Sequence, residues 1–167
     1  MSAIQSEIKQ GKPFPSRTAE GVVALLRTTD VIRRVLSEVV GDHGITLQQY
    51  NVLRILRGAG VEGLPTLEIG ERMIEQSPGV TRLLDRLEAK ALVRRERCPT
   101  DRRQVTCRIS AGGLAVLASL EKPVARASGA LLGRLGDSRT IELIHLLDEL
   151  RVAARTAVTV RRIRPVK

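Results

Sequence analysis

Residues 66–110 read TLEIGERMIEQSPGVTRLLDRLEAKALVRRERCPTDRRQVTCRIS, and this stretch decides the fold of the chain. Two short helical patterns meet there at a polar turn, and two β-prone runs then flank the arginine-rich tip PTDRR. A helix pair followed by a basic hairpin can place one helix in the major groove of a DNA duplex and a loop beside it. The pattern therefore predicts double-stranded DNA as the main partner.

The two helices of this stretch have recognisable starts. Thr66 is the predicted N-cap of a third helix in the chain, and its inward-facing residues are expected to be Leu67, Gly70, Met73 and Ile74. Ser77 and Pro78 are predicted to be the N-cap and the first residue of a fourth helix, because the missing N–H of proline does no harm at that position.

The fourth helix is predicted to have an apolar side and a polar side. Arg82 and Arg86 are four residues apart, so both project away from the leucines, where an arginine can bind guanine O6 and N7 or a phosphate. Thr81 could contact a thymine methyl group, and Ser77 lies beside backbone N–H groups suited to a phosphate. The alternative is an ordinary surface helix in which Asp85 pairs with Arg82, or in which Arg82, Arg86 and Glu88 form ion pairs.

The hairpin tip combines one acid with two arginines. Asp101 is expected to orient one guanidinium, while Arg103 enters the minor groove and Arg102 contacts the DNA backbone. The alternative is a type I turn that uses aspartate for its turn preference and arginines for solubility. The arginines in the strand that leads to the tip favour the DNA interpretation; they are Arg94, Arg95 and Arg97.

Basic charge is concentrated in two segments of the 167-residue chain, whose formal net charge is +10. Residues 94–108 hold six arginines against Glu96 and Asp101, and residues 151–167 hold five arginines and one lysine with no acid. Local basic patches on a balanced body are typical of surfaces that bind phosphates. For the C-terminal segment, a solvated basic tail is the alternative explanation.

Aromatic residues are nearly absent, since Phe14 and Tyr50 are the only ones and there is no tryptophan. Proteins that bind single strands or RNA stack bases on aromatic side chains, so this composition disfavours those classes. It leaves duplex binding open. The length suits one compact domain, or a small domain with an oligomerisation arm.

The sequence also predicts the compartment. No apolar run approaches the roughly 20 residues that a membrane helix needs, and residues 1–15 lack the apolar core of a signal peptide. We therefore expect a cytoplasmic protein in which Cys98 and Cys107 stay reduced. Because these cysteines flank the hairpin tip and could lie opposite one another, redox sensing through them is an alternative. The alternation of Cys107 with Val105 and Ile109 instead favours a buried, inert thiol.

Helices are predicted on both sides of the central stretch. Residues 1–15 form a polar, loosely ordered arm, and residues 17–40 have the periodicity of a long amphipathic helix. Thr46 and Gln49 have the capping-box spacing at the start of a second helix. Residues 61–65 are expected to be a connector.

Two helices are predicted to close the chain. Ser110 is expected to cap the fifth helix, which should be interrupted or kinked near Pro123. Asp137 is expected to be the N-cap of the last helix.

The order of these elements resembles the MarR family of winged helix-turn-helix transcription regulators. The resemblance covers residues 17–155, and its specific motifs are Leu87-Glu88, Ala91-Leu92-Val93 with Arg95, Asp101 with Arg103, and Ile109-Ser110. Ala91 stands where the family usually has a glycine at the helix end.

The resemblance implies a mainly α fold, a winged helix-turn-helix with a small antiparallel β-hairpin wing and a helical dimerisation arm from both termini. We expect the DNA-binding domain at residues 46–109 and the dimerisation region at residues 17–45 and 110–160. A polar arm at residues 1–16 and a basic tail at residues 161–167 complete the division.

The implied function is that of a homodimeric regulator, a repressor in such families, that binds a pseudo-palindromic operator. Its half-sites would lie about 34–36 Å apart. The positions that match the DNA-facing residues of the family are Ser77, Pro78, Thr81, Arg82, Arg86, Arg102 and Arg103.

Many members of this family release DNA when a small, often phenolic, ligand enters the crevice between the dimer arm and the winged lobe. In this chain the first, second and fifth helices would line that crevice. Tyr50 is the one aromatic hydroxyl in that area, and such a tyrosine is more often a core residue. No polar anchor for an effector is predicted.

Three other classes are weaker. A non-specific architectural protein would coat duplex DNA through its arginines. An enzyme is disfavoured because there is no nucleophile elbow, P-loop or paired-carboxylate motif. A metal sensor is disfavoured because His43 and His145 are the only histidines and no zinc-type spacing occurs, so neither a metal nor another cofactor is expected.

Overall fold

Helices dominate the chain, and one small antiparallel sheet lies among them. The computed structural model describes residues 2–75, 79–97 and 105–163, with only the backbone described at residues 97 and 158–163. The chain divides into two compact units, Met1–Ala127 and Ser128–Lys167. The predicted fold class, mainly α with a β-hairpin, is confirmed.

The first unit contains the sheet and most of the helices. In chain order its described elements are α1 (Ala3–Glu7), α2 (Arg17–Gly41), α3 (Leu47–Ala59), β1 (Leu64–Pro65), α4 (Thr66–Arg72), α5 (Val80–Ala89), β2 (Val93–Arg97), β3 (Val105–Ile109) and most of α6 (Ala111–Leu132). The second unit holds the end of α6, a single 3-10 turn and α7 (Gly136–Ile163). In the described part of the chain, no helix is both long enough and apolar enough to cross a membrane.

Local capping signals were predicted correctly at two helices. The Thr46 hydroxyl accepts from the Gln49 backbone N–H at 3.2 Å, and the Gln49 side-chain oxygen accepts from the Thr46 N–H at 3.0 Å. At α6 the Ser110 hydroxyl accepts from the Gly113 N–H at 3.1 Å. Each cap satisfies backbone donors that have no partner within the helix, so both starts are encoded locally.

The core of the first unit lies between α3, α5, the sheet and α6. Side chains from all four are completely or almost completely removed from solvent, among them Leu53, Leu56, Leu84, Leu87, Val93, Cys107, Leu117 and Leu120. Burying one such leucine contributes about 1.5–3 kcal/mol, so these contacts hold the helices and the sheet in one arrangement.

The sheet has a third strand that the sequence did not predict. Residues 61–65 were expected to be a connector, but the last two of them form the strand β1. This strand pairs with β3, so the strand order is β1-β3-β2. Leu64 lies opposite Cys107 and Pro65 opposite Thr106. Gly63 permits this approach, since its φ is +68° and an added Cβ would lie 2.3 Å from the Cys107 carbonyl oxygen.

The prediction for α4 is confirmed only in part. Thr66 is its first helical residue and Pro65 is its N-cap, so the predicted cap is corrected. Met73 is buried as predicted, together with Ile69, four residues earlier, whereas Leu67 is 77% exposed and Ile74 is 85% exposed. The helix ends at Arg72, so Ile74 lies beyond the last helical residue and does not continue the predicted stripe.

Part of the N-terminal segment is more ordered than predicted. Residues of α1 form a short helix with Ser2 as N-cap, whose hydroxyl accepts from the Gln5 N–H at 3.4 Å. Gln5 is buried, and Glu7 pairs with Arg27 of α2 at 2.7 Å. The polar composition of this segment gave no indication of these tertiary contacts.

The closing helices depart from the prediction in two places. Helix α6 runs through Pro123 without interruption, so the predicted interruption is wrong, while the alternative of a kink at Pro123 stays a prediction. Helix α7 begins at Gly136, which has a φ of +71°, so Asp137 lies in its first turn and is not the N-cap.

Candidate nucleic-acid interface

The N-cap of helix α5 lies two residues later in the chain than the sequence predicted. Gly79 is its N-cap, and the first helical hydrogen bond runs from the Leu83 N–H to the Gly79 carbonyl at 3.0 Å. The assignment of Ser77 as the N-cap is therefore corrected. Ser77 and Pro78 themselves lie outside the described residues.

Residues 74 and 75, the last described residues before Gly79, are held by α2 and α3. The Ile74 N–H donates to the Asn51 side-chain oxygen at 2.9 Å, and the Gln48 amide donates to a Glu75 carboxylate oxygen at 3.1 Å. The other Glu75 oxygen pairs with Arg33 of α2 at 3.0 Å.

The two sides of α5 are separated as the periodicity predicted. Three leucines are buried against the core, namely Leu83, Leu84 and Leu87. Thr81, Arg82 and Arg86 are exposed on the opposite side. The structure therefore brings these three predicted site residues together on one outward surface.

Both acids of α5 pair with one arginine from the sheet. Arg95 lies on β2, and its Nη1 is 2.7 Å from an Asp85 carboxylate oxygen. Its Nε donates to Glu88 Oε2 at 2.8 Å, and its backbone N–H donates to Glu88 Oε1 at 3.2 Å. The alternative in which Asp85 pairs with Arg82 is therefore wrong for this structure.

This pairing leaves two cations on the outward face of α5 uncompensated. Within residues 2–75, 79–97 and 105–163, no acid lies within ion-pair distance of the Arg82 or Arg86 guanidinium. An exposed guanidinium without an internal partner keeps all its N–H donors for an external anion or base edge. This surface is suited chemically to phosphate or guanine.

The pKa shifts agree with this geometry. The hydrogen bond from Arg95 lowers the pKa of the Glu88 carboxyl, and the same contact raises the pKa of Arg95. Both shifts stabilise the charged forms, so the contact between α5 and β2 is ionised at neutral pH. The sequence grouped Arg95 with the strand arginines that favour DNA binding and did not predict its pairing with α5, although its alternation with buried Val93 placed it on the inward side of the strand.

The end of α5 has the hydrogen bonds of a Schellman motif. The Ala91 N–H donates to the Glu88 carbonyl at 2.8 Å, and the Leu92 N–H donates to the Leu87 carbonyl at 3.0 Å. Ala91 has a φ of +56°, the left-handed conformation that glycine adopts more easily. The Ser110 hydroxyl also donates to the Ala91 carbonyl at 2.6 Å, which ties this turn to the start of α6.

The wing is described only at its base. Strands β2 and β3 are antiparallel, and Arg94 lies opposite Arg108 in the register. Arg108 pairs with Glu96 and donates through Nε to the Val61 carbonyl at 2.8 Å. The predicted tip residues Asp101, Arg102 and Arg103 lie outside the described residues, so their roles remain predictions.

The cysteine at the base of the wing is buried. Burial raises the pKa of the Cys107 thiol, which keeps it protonated, as the alternation predicted. The expectation that Cys98 could lie opposite Cys107 is wrong, because the register places Arg95 opposite Cys107. Cys98 itself lies outside the described residues.

Comparison with known proteins identifies relatives of this fold. A model of the MarR family matches residues 45–105. The crystal structure of a MarR transcription factor from Planctomyces limnophilus is 38% identical, with a TM-score of 0.65 over 81% of this chain and 98% of that one.

Two further relatives are informative. TtmR, an HTH-type transcriptional regulator of Methylorubrum extorquens, is 34% identical over 124 residues, which span 72% of this chain and 62% of TtmR. BpsR of Bordetella bronchiseptica, whose DNA binding is regulated by 6-hydroxynicotinic acid, shares the fold at 21% identity, with a TM-score of 0.70 over 79% of this chain and 98% of that one. These relatives are regulators and not enzymes, which confirms the expectation of a non-enzymatic function.

Proposed function

The chain belongs to the MarR family of transcription regulators, and we propose that it is a repressor that binds a specific double-stranded DNA sequence as a homodimer. The observation that carries this proposal is the outward face of α5. There Arg82 and Arg86 are exposed while both acids of the helix are held by Arg95.

In the proposed complex α5 enters the major groove. Arg82 and Arg86 bind guanine edges or phosphates, and Thr81 contacts a thymine methyl group or a phosphate. Ser77 and Pro78 bring the start of the helix to the DNA backbone.

The wing completes the proposed contact with DNA. Arg103 enters the adjacent minor groove and Arg102 contacts a phosphate, while Asp101 orients one of these guanidinium groups.

Dimerisation is supported by apolar side chains that each unit leaves in solvent. On α2 these include Val22 and Leu26, which are four residues apart and therefore share one side of the helix. On α7 they include Ile141, Ile144 and Leu150. We propose that residues 17–45 and 110–160 cover these surfaces in a two-fold dimer, with residues 46–109 as the DNA-binding domain.

A two-fold dimer would present two copies of α5 to one face of the duplex. The operator is then a pseudo-palindrome with half-sites about 34–36 Å apart, one turn of B-DNA. This spacing separates a specific regulator from an architectural protein, which would protect DNA uniformly.

We further propose that a small aromatic ligand releases the DNA. The support is the likeness to BpsR, whose DNA binding is regulated by an aromatic acid. Redox control is not favoured by the structure, since the Cys107 thiol is buried and lies opposite Arg95.

Selection of duplexes from a random library by the purified full-length protein tests the proposal. We expect enrichment of one inverted repeat, and protection of two half-sites in a footprint. Uniform protection with a steep dependence on salt would instead indicate an architectural protein. Repeating the footprint with benzoate, salicylate or 6-hydroxynicotinic acid tests release, and treatment with peroxide, expected to change nothing, tests the thiol alternative.

The wing is tested by Arg103→Ala. We expect weaker binding to the selected duplex, with little change in the melting temperature of the protein, because the substitution removes a DNA contact and no core packing. Wild-type affinity in this variant would remove Arg103 from the interface.

A further inference from the structure

Arg95 lies on β2 at the base of the wing, and its side chain contacts α5, so this residue connects the wing to the helix. Its side chain is only 24% exposed, and its strand neighbour across the sheet is the buried Cys107. Strand β2 begins directly after the turn that ends α5, so Arg95 reaches back over the last two turns of that helix. One guanidinium thereby contacts Asp85 and Glu88, which are three residues apart.

The two acids differ in how they hold Arg95. Glu88 contacts it at both the backbone N–H and the side chain, with distances of 3.2 and 2.8 Å. The guanidinium itself donates to Glu88 Oε2 through both Nε and Nη2, and these two contacts fix its orientation and leave Nη1 aimed at Asp85. Glu88 is therefore the anchor, and Asp85 is the group that the anchored arginine neutralises.

Asp85 has a competing partner on its own helix. It is three residues after Arg82, a spacing at which opposite charges pair across one helical turn. Glu88 has no such competitor, since it is six residues from Arg82 and two from Arg86 and therefore faces neither. Without Arg95, the carboxylate of Asp85 would be left to compensate Arg82, which the proposed function assigns to DNA.

We propose that Arg95 is a positioning residue for DNA binding, which keeps Arg82 available by holding Asp85 against β2. This inference rests on the proposed function, because it concerns the affinity for duplex DNA. It assigns Asp85 no contact with DNA, and it makes the effect of Asp85 on affinity depend on whether Arg95 is present.

A double-mutant cycle in the full-length protein tests this dependence. The probe is the duplex of about 30 base pairs that the wild-type protein selects most strongly from a random library, roughly three helical turns. The variants are Arg95→Leu, Asp85→Asn and the two combined. Arg57→Leu is the matched control, because this substitution also removes an arginine from an ion pair between two elements, but the partner is Glu121 of α6 and not an acid of α5.

We expect Arg95→Leu to weaken binding about tenfold, the effect of removing roughly one good base or phosphate contact. Adding Asp85→Asn should recover most of this loss, while Asp85→Asn alone and Arg57→Leu should stay within about twofold of the wild type. The salt slope should fall by about one unit in Arg95→Leu and return in the double variant. The melting temperature should not return, since the anchor to Glu88 is still missing.

The outcomes separate two failures. If Asp85→Asn changes the affinity by the same factor in both backgrounds, or if Arg95→Leu binds like the wild type, this inference is overturned while the proposed function stands. A wild-type protein that selects no duplex overturns both. Should Arg95→Leu fail to fold, Arg95→Gln with and without Asp85→Asn replaces it, because glutamine keeps an N–H donor for Glu88 but carries no charge to hold Asp85.

Discussion

Helices α5 and α7 both carry rows of large aliphatic side chains, but only α5 has buried them within its own unit. Leu84 and Leu87 of α5 are completely buried, whereas Ile141 and Ile144 of α7 are 55% and 52% exposed. The two helices differ in what packs against them, because α3 and the sheet cover one face of α5 inside the first unit. The second unit contains nothing comparable among its described residues.

The comparison indicates that the two helices have different tasks. A helix packed on one side by its own chain presents its other side in a defined orientation, which a sequence-reading element requires. A helix with exposed apolar residues is suited to a partner that supplies the missing cover. The predictions below test this contrast, beginning with the largest effect.

The packing of α5 is tested by Leu87→Ala. We expect a loss of about 2–5 kcal/mol in the free energy of unfolding, because the substitution leaves a cavity in a fully buried site. Urea denaturation at fixed protein concentration measures it. The control is Leu67→Ala, which should stay within about 0.5 kcal/mol since Leu67 is exposed. Equal losses in both variants would contradict the distinction.

The exposed face of α7 is tested by Ile144→Asp. If this face is covered in the dimer, a carboxylate there should weaken dimerisation roughly 100-fold, because it would be desolvated without a partner. Sedimentation equilibrium measures the dissociation constant. His145→Asp is the control, as His145 follows Glu142 and precedes Glu149 on the charged side of the helix. An unchanged dimer in Ile144→Asp would remove α7 from the proposed interface.

The outward face of α5 is tested by Arg86→Ala. We expect a loss of about 1–3 kcal/mol in discrimination between the selected duplex and a scrambled one. Titration of both duplexes by fluorescence anisotropy measures the ratio. Arg57→Ala serves as the control, since Arg57 pairs with Glu121 at 3.0 Å and has no place in the proposed interface. Full discrimination by Arg86→Ala would show that this residue reads no base.

The turn after α5 is tested by Ala91→Gly. Ala91 has a left-handed φ of +56°, so glycine should stabilise the protein by about 1 kcal/mol. The same substitution two residues earlier, Ala89→Gly, lies in the helix and should destabilise by about 0.5–1 kcal/mol. Thermal or urea denaturation of the pair measures both signs. Destabilisation by Ala91→Gly would argue against the strained turn.

The ion pair of α5 is expected to have the smallest effect on stability. The pKa of Glu88 is lower in the folded protein than its ordinary value of 4.5, so its stabilisation is present above that pH and is lost as the pH falls through the folded pKa. Glu88→Gln should therefore cost less than about 1 kcal/mol at neutral pH, because the pair is partly solvated, and progressively less as the pH falls below 4.5. Urea denaturation at neutral pH and at a series of values below 4.5 checks this.

Features encoded within a few residues could be predicted from the sequence. The caps at Thr46 and Ser110, the leucine face of α5 and the two strands of the wing all depend on spacings of two to four residues, and all are present. The exposed positions of Arg82 and Arg86 follow from the same periodicity.

The partners of those residues depended on the tertiary structure. Asp85 lies three residues from Arg82, yet it pairs with Arg95, ten positions later, because the turn at Ala91 folds β2 back along α5. The strand β1 was missed for the same reason, since its partner Cys107 is more than forty residues away.

The sequence by itself therefore determined the longer helices, the two wing strands and which faces of these elements carry charge. Only the tertiary structure decided which charges are compensated and which apolar faces are covered. The physical reason is range, because backbone hydrogen bonds and periodicity act between near neighbours, whereas ion pairing and burial depend on where distant segments meet.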